Sequence, residues 1–305
     1  MKRKDSLLQN IFQDATDSKL AGASFSLSAI LAPILALVVT VVLLLFGVKD
    51  YEGKDWYLYL NFLLPQLTFF IVLFACFSIK KVSLKSCVYS QKCHPKYFLI
   101  ALIMQFGLLS LSELNTWFLT LLGEIGYVDV GISLPSMDGF GFVGVLLVVG
   151  VLPALFEEIF FRGVLLSGLQ AFKTVWAVLL CGALFSLYHQ SPAQTIYQFC
   201  CGACFALVAL RSGSVLPTIL SHFANNAFIL ILTKYGISGF STTTLWWMMP
   251  ISAVCLLLSL AYLIFMDKSR KKERNQAEKK TFFRYAGIGI AVCALSWIMV
   301  LFSGI

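Results

Sequence analysis

The chain alternates long apolar runs with short polar ones. Runs of the length a membrane-spanning helix needs, about 20 residues, fall at 23–47, 57–79, 97–122, 140–166, 174–190, 193–211, 214–234, 243–266 and 285–303. The fifth is short and the fourth is long. Together they predict an all-α fold: a polytopic transmembrane helical bundle of eight or nine helices. Nine spans follow if every run crosses, eight if one is re-entrant or lies along the interface. The transmembrane domain then occupies 23–303. Residues 1–22 form a cytoplasmic N-terminal segment, and 267–284 form a basic cytoplasmic loop. No internal repeat and no low-complexity segment is present.

The polar runs orient the bundle. Lys2, Arg3 and Lys4 open the chain; Lys80, Lys81, Lys85, Lys92 and Lys96 follow the second run; eight Lys or Arg lie in DKSRKKERNQAEKKTFFR. The alternate loops carry Asp50, Glu52, Asp55, Glu124, Asp129 and Asp138 with few Lys. The positive-inside rule therefore places the N-terminus in the cytoplasm and, with nine spans, the C-terminus outside. The same basic loops can touch anionic lipid or dock an acidic partner.

Composition agrees. Hydrophobic residues make up 59% and charged ones 12%, with mean hydropathy +0.86, whereas a soluble domain carries roughly a quarter charged residues. A soluble globular protein is excluded. The net charge of +8 does not indicate nucleic acid, because the basic residues cluster between apolar runs. The first run is too long for a cleaved signal and is expected to be an uncleaved anchor. Most of the nine cysteines lie in apolar runs, where Cys acts as a small hydrophobe, so no disulfide framework is expected.

Ionisable residues inside spans are rare, costly and commonly functional. Here they concentrate: Glu157, Glu158 and Arg162 in span 4, His189 at the end of span 5, and His222 with Asn225 and Asn226 in span 7. Glu158 and Arg162 stand at i and i+4 with the acid N-terminal, the favourable order for an ion pair. Glu157 is turned about 100° away, and Phe161 occupies its i+4 position. One acid is thus paired. The other is aimed elsewhere in a poorly solvated site, as a general base would be. His222 and Asn226 also share a helix face and could hold a water or donate to an oxyanion. Counted along the helices, His189 falls one or two turns further toward the outer face than Glu157 and His222.

Blander readings accompany these. Buried polar residues can simply join helices. Cys200, Cys201 and Cys204 lie among Gly202, Ala203 and Ala206 and fit close helix packing better than redox chemistry. His94 fits an exposed loop better than a metal site with Cys87 and Cys93. Glu113 is either cavity lining or helix glue. Trp246 and Trp247 are expected at the interface, and Gly163 and Gly168 near the end of span 4.

The pattern Glu157-Glu158-xxx-Arg162, Phe185-xxx-His189 and His222-xxx-Asn226 resembles the CPBP family, the CAAX-processing and bacteriocin-processing intramembrane proteases, also called the Abi family or type II CAAX prenyl endopeptidases. The resemblance covers about 140–235. It implies an intramembrane endopeptidase without an acyl-enzyme. By position, it implies that Glu157 activates water and His189 positions it. His222 and Asn226 would stabilise the oxyanion, with Glu158, Arg162 and Phe185 as structural support. The nine-run count departs from the eight-helix core of characterised eukaryotic relatives.

The resemblance implies no cofactor. A zinc-dependent version, with Glu157, His189 and His222 as ligands and one open position, is the alternative, although no H-E-x-x-H helix is present. A non-catalytic scaffold or regulator working with a membrane-protein partner is another reading. A proton-relay transporter is a third, but it lacks support from inverted repeats or broken helices. The expected partners are a membrane-associated peptide or protein substrate and the lipid bilayer. The loops suit a bacterial plasma membrane; there, leader peptides, pheromones, bacteriocins and membrane-protein segments are better substrates than a prenylated CAAX protein.

Overall fold

The computed structural model describes residues 17–79, 93–129, 131–237, 240–267 and 278–303. The basic segments 1–16, 80–92 and 268–277, and Cys87 with them, lie outside the described residues. Nine helices and no strand are present among the described residues. In chain order they are α1 (Asp17–Leu45), α2 (Asp55–Ile79), α3 (Lys96–Glu124), α4 (Gly141–Ala171), α5 (Thr174–Tyr188), α6 (Pro192–Ser212), α7 (Leu216–Lys234), α8 (Thr242–Met266) and α9 (Lys279–Ser303). All but α5 are long and apolar enough to cross a membrane. This is an all-α, multi-pass membrane protein.

The fifth run is the short one for a local reason. Its helix has 15 residues, about 22 Å at 1.5 Å per residue, against a hydrocarbon core of roughly 30 Å. Gln190 then turns to φ +53°, a left-handed conformation that a helix cannot continue through. Pro192 starts the next helix at a position where its missing N–H costs nothing. α6 returns antiparallel along α5. At their contact a Cβ on Gly202 would lie 2.8 Å from Gly182 Cα, so only glycine permits this approach. The α5–α6 hairpin enters and leaves on one side of the bundle. The sidedness of all later helices is therefore the same whether or not α5 crosses fully.

α1 begins at Asp17, before the apolar run at 23. Its first half is a seam of small residues, with Ser18, Ala21, Ser24, Ser28 and Ala29 fully buried. Small residues allow backbones to approach in a bilayer, where lipid is as apolar as leucine. Ser26 Oγ donates to Tyr285 O of α9 at 2.6 Å and accepts from Gly289 N at 3.0 Å. Ser18 Oγ donates to Gly168 O of α4 at 2.9 Å. The last α-helical piece of α4 ends at Gly168, and a single 3-10 turn, Leu169–Ala171, finishes the span. A Cβ on Gly168 would collide with Ala21 and with the Asp17 carbonyl.

Polar contacts also define the two ends of the bundle. At one end Tyr97 donates to Asp267 at 2.6 Å, Arg211 Nη1 to Asp267 O at 3.2 Å, and Glu278 N to Ser18 Oγ at 2.6 Å. At the other, Tyr59 donates to Gly141 O at 3.0 Å, Ser136 N to Asp55 Oδ1 at 2.9 Å, Lys234 Nζ to Met137 O at 2.7 Å, and Trp297 Nε1 to Thr195 Oγ1 at 2.9 Å.

Candidate active site

α4 is not a regular helix where the glutamates lie. Two π-helical segments, Leu146–Val151 and Ile159–Leu165, bracket an α-helical stretch, Leu152–Glu158. Such π segments recur at functional sites. Pro153 accounts for part of the irregularity. It has no N–H to donate to the carbonyl four residues back, Val149. The Asn226 side chain of α7 replaces that donor, giving its Nδ2–H to Val149 O at 3.0 Å.

Glu158 and Arg162 are both fully buried and pair at 2.7 Å. The guanidinium also donates to Gly202 O at 3.4 Å. It lies 4.2 Å from the Phe185 ring centroid and 5.3 Å from that of Phe205, within cation–π range. Arg162 is thus enclosed by aromatic faces and paired with one acid, its Nε left without a hydrogen-bond partner among the described residues.

Glu158 does more than neutralise Arg162. The same oxygen, Oε1, accepts from His222 Nδ1 at 2.9 Å. This fixes the imidazole: with Nδ1–H committed to the carboxylate, Nε2 is turned toward Glu157, 4.0 Å from its Oε2. Glu157 Oε1 accepts a long bond from Gln66 Nε2 of α2 at 3.4 Å. Its Oε2 is buried and has no hydrogen-bond partner among the described residues. Buried carboxylate oxygens are seldom left so. Glu158 Oε2 also lacks a hydrogen-bond partner among the described residues, but of the two acids only Glu157 lines the cavity and faces the histidine across that 4.0 Å gap.

His189 closes α5. Its Nδ1 is 2.8 Å from Phe185 O; a carbonyl only accepts, so Nδ1 carries the proton and Nε2 is the free nitrogen. Phe185 stands edge-on to both histidines, with ring centroids 4.7 Å from His189 and 6.2 Å from His222. α5 has only 15 residues, and His189 at its end lines the same cavity as Glu157 and His222. Glu157, His189, His222 and Asn226 all line one cavity of about 880 Å³.

Four lining or supporting residues carried no assigned role at the sequence level. Gln66 holds Glu157. Asn225 Oδ1 accepts from Gln105 Nε2 at 2.7 Å and from Tyr197 OH at 3.0 Å, and Asn225 Nδ2 donates to Asn226 Oδ1 at 3.2 Å. Asn226 is therefore held at both ends of its amide. His222 and Asn226 do not aim at one common atom, contrary to the expectation from their shared face: their donors are engaged by Glu158 and Val149. The available signal was polarity, since Gln66 and Gln105 interrupt apolar runs. Glu113 is exposed and is not among the cavity-lining residues.

Both histidines commit Nδ1–H and leave Nε2 bare, the tautomer that metal ligands also use. Yet among the described residues no three His, Cys, Asp or Glu are grouped to hold a metal ion. No disulfide joins the eight described cysteines, and Cys201 and Cys204 are buried in an apolar cluster between helices.

Residues 139–228 match the family model described as type II CAAX prenyl endopeptidase Rce1-like. That segment runs from the start of α4 into α7 and contains every residue of the three motifs. It supports a CAAX-type (CPBP) intramembrane protease. No curated protein and no solved structure matches the chain.

Proposed function

We propose that this protein is an intramembrane endopeptidase that hydrolyses a peptide bond of a membrane-associated peptide or protein, using water activated by Glu157. The observation that carries the reading is the partnerless Glu157 Oε2, buried and facing His222 Nε2 across 4.0 Å on the cavity wall.

A water held on Glu157 from the cavity would pass a proton to it as the water oxygen attacks the peptide carbonyl carbon. Glu157 would then return that proton to the departing amine. The oxyanion formed in between needs N–H donors. His222 Nε2 offers one when the ring is doubly protonated, with the Glu158 carboxylate at 2.9 Å as counter-ion. His189 Nε2 offers another under the same condition. Asn226 offers its amide when Nδ2 leaves Val149 O. Glu158 and Arg162 hold α4 to α7 and α6 and set the His222 tautomer. No cofactor enters this scheme. The bare Nε2 atoms favour one second reading, a zinc-dependent protease, although the ligands are not grouped as such a site requires.

The test is cleavage of a quenched peptide library by the purified full-length protein in detergent, with Glu157→Gln and Glu158→Gln alongside, each with and without a zinc chelator. Glu157→Gln is expected to lower the rate by about 10²–10⁴-fold, and chelation to leave wild-type cleavage unchanged. Loss on chelation with recovery on zinc addition would establish the zinc reading. Wild-type rates from Glu157→Gln would remove that residue from the chemistry. Cleavage by no form of the protein would favour the scaffold.

A further inference from the structure

The two ends of the bundle differ in charge, and the cavity opens toward only one of them. The end marked by Asp17, Lys96, Arg211, Asp267 and Glu278 collects the basic residues. Of the 23 Lys and Arg in the chain, nineteen fall at 2–19, 80–96, 173, 211 and 268–284, positions that neighbour in sequence the helix ends on that side. Three, Lys49, Lys54 and Lys234, belong to the opposite end, and Arg162 lies between the two. In short loops, Lys and Arg mark the cytoplasmic face.

The cavity is closed on the basic side. Beyond Glu157 and His222 in that direction, Phe160, Phe161, Arg162, Ser221 and Thr218 are 0% exposed. In the other direction the walls are the outer halves of the helices. Asn61 of α2, Ala36 of α1 and Thr233 of α7 line it, as do Ile132 and Leu134 of the segment before α4. That segment is fastened at the rim by Ser136 N to Asp55 and by Lys234 Nζ to Met137 O. The site is thus a well sunk from the lysine-poor face to about the middle of α4.

We propose that this face is extracytoplasmic, and that the substrate is a peptide or membrane-protein segment presented from the extracytoplasmic side of the bilayer. The orientation stands on charge and shape. The substrate assignment also rests on the protease reading above. A bond presented in the cytoplasm would have no path past the aromatic floor to Glu157.

The first arm of the test reads orientation without activity. Ser133→Cys places a thiol on the rim segment, and Lys280→Cys places one at the start of α9; both positions are exposed. Each full-length variant is treated in intact cells with a membrane-impermeant maleimide, the wild-type chain supplying the background from native cysteines. Labelling of Ser133→Cys in intact cells, with Lys280→Cys labelled only after permeabilisation, is expected. The reverse pattern overturns the proposal. The second arm adds an impermeant quenched peptide to right-side-out and inside-out vesicles, with Glu157→Gln as control. Cleavage by right-side-out vesicles alone is expected. Cleavage by inside-out vesicles alone overturns the substrate side but leaves the protease standing. If Ser133→Cys labels as expected and neither vesicle cleaves, the protease reading and the substrate assignment fall and the orientation remains.

Discussion

At the residue scale, two groups carry consequences separable from catalysis. The Arg162–Glu158 pair is wholly desolvated. Removing one member of such a pair leaves a buried charge alone and costs about 3–5 kcal/mol, whereas replacing both with apolar residues of similar volume is often tolerated. Arg162→Met is therefore expected to lower the thermal midpoint in detergent sharply, and Glu158→Gln with Arg162→Met to recover part of the loss. Asn226 supplies the donor that Pro153 cannot. Asn226→Ala should cost about 1–3 kcal/mol by stranding the Val149 carbonyl. On a Pro153→Ala background, where residue 153 regains an N–H, the same change should cost much less. A double-mutant cycle of unfolding midpoints measures the difference; full additivity would mean that Val149 finds its partner elsewhere.

At the element scale, the α5–α6 hairpin sets where His189 lies. Its two helices touch through Gly182 and Gly202, and a Cβ on Gly182 would come within 2.7 Å of Phe199 O. Backbone on backbone cannot yield as the end of a side chain can. Gly182→Val is expected to separate the helices, with the roughly 1–3 kcal/mol cost of overpacking. It should also displace Phe185 and His189, which stand one and two turns further along α5. The expected readout is lost peptide cleavage at a temperature where the variant is still folded. Retained cleavage would mean that the hairpin tolerates spreading. Glu157 and Glu158 stand in the α-helical stretch between the two π segments of α4, about 100° apart, so one addresses the cavity and the other Arg162 and His222.

For the whole molecule, α9 is part of the support of the site, even though an eight-helix core would omit it. Phe282, Ala286 and Cys293 are fully buried, and α9 meets α1 through Ser26, Tyr285 and Gly289. α1 in turn backs α4 through Ser18 and Gly168. Ending the chain before α9 exposes the serine-lined seam of α1 to lipid, where its polar groups lose their partners. Such a truncation is expected to give an aggregated species in size-exclusion chromatography, and Gly289→Leu a milder form of the same defect. A monodisperse truncated protein that still cleaves peptide would show that α9 is dispensable.

The apolar run lengths determined the class of fold, because a bilayer imposes a minimum helix length whatever the packing. Spacing determined the pairs along one helix: Glu158 with Arg162 needs only 3.6 residues per turn. The same local geometry marked Glu157 as the acid without a cation. Tertiary structure alone decided what lies across helices. Glu158 to His222, Gln66 to Glu157 and Val149 to Asn226 span 64, 91 and 77 residues, and each depends on how a helix is rotated about its axis. The sequence could announce at Pro153 that a carbonyl would go begging; only packing chose Asn226 to satisfy it. Likewise, two equivalent-looking bonding partners were open to His222, the asparagine one turn away and the acid on another helix. The structure gave its Nδ1 to the acid, because α4 and α7 meet where a buried carboxylate still has room to accept.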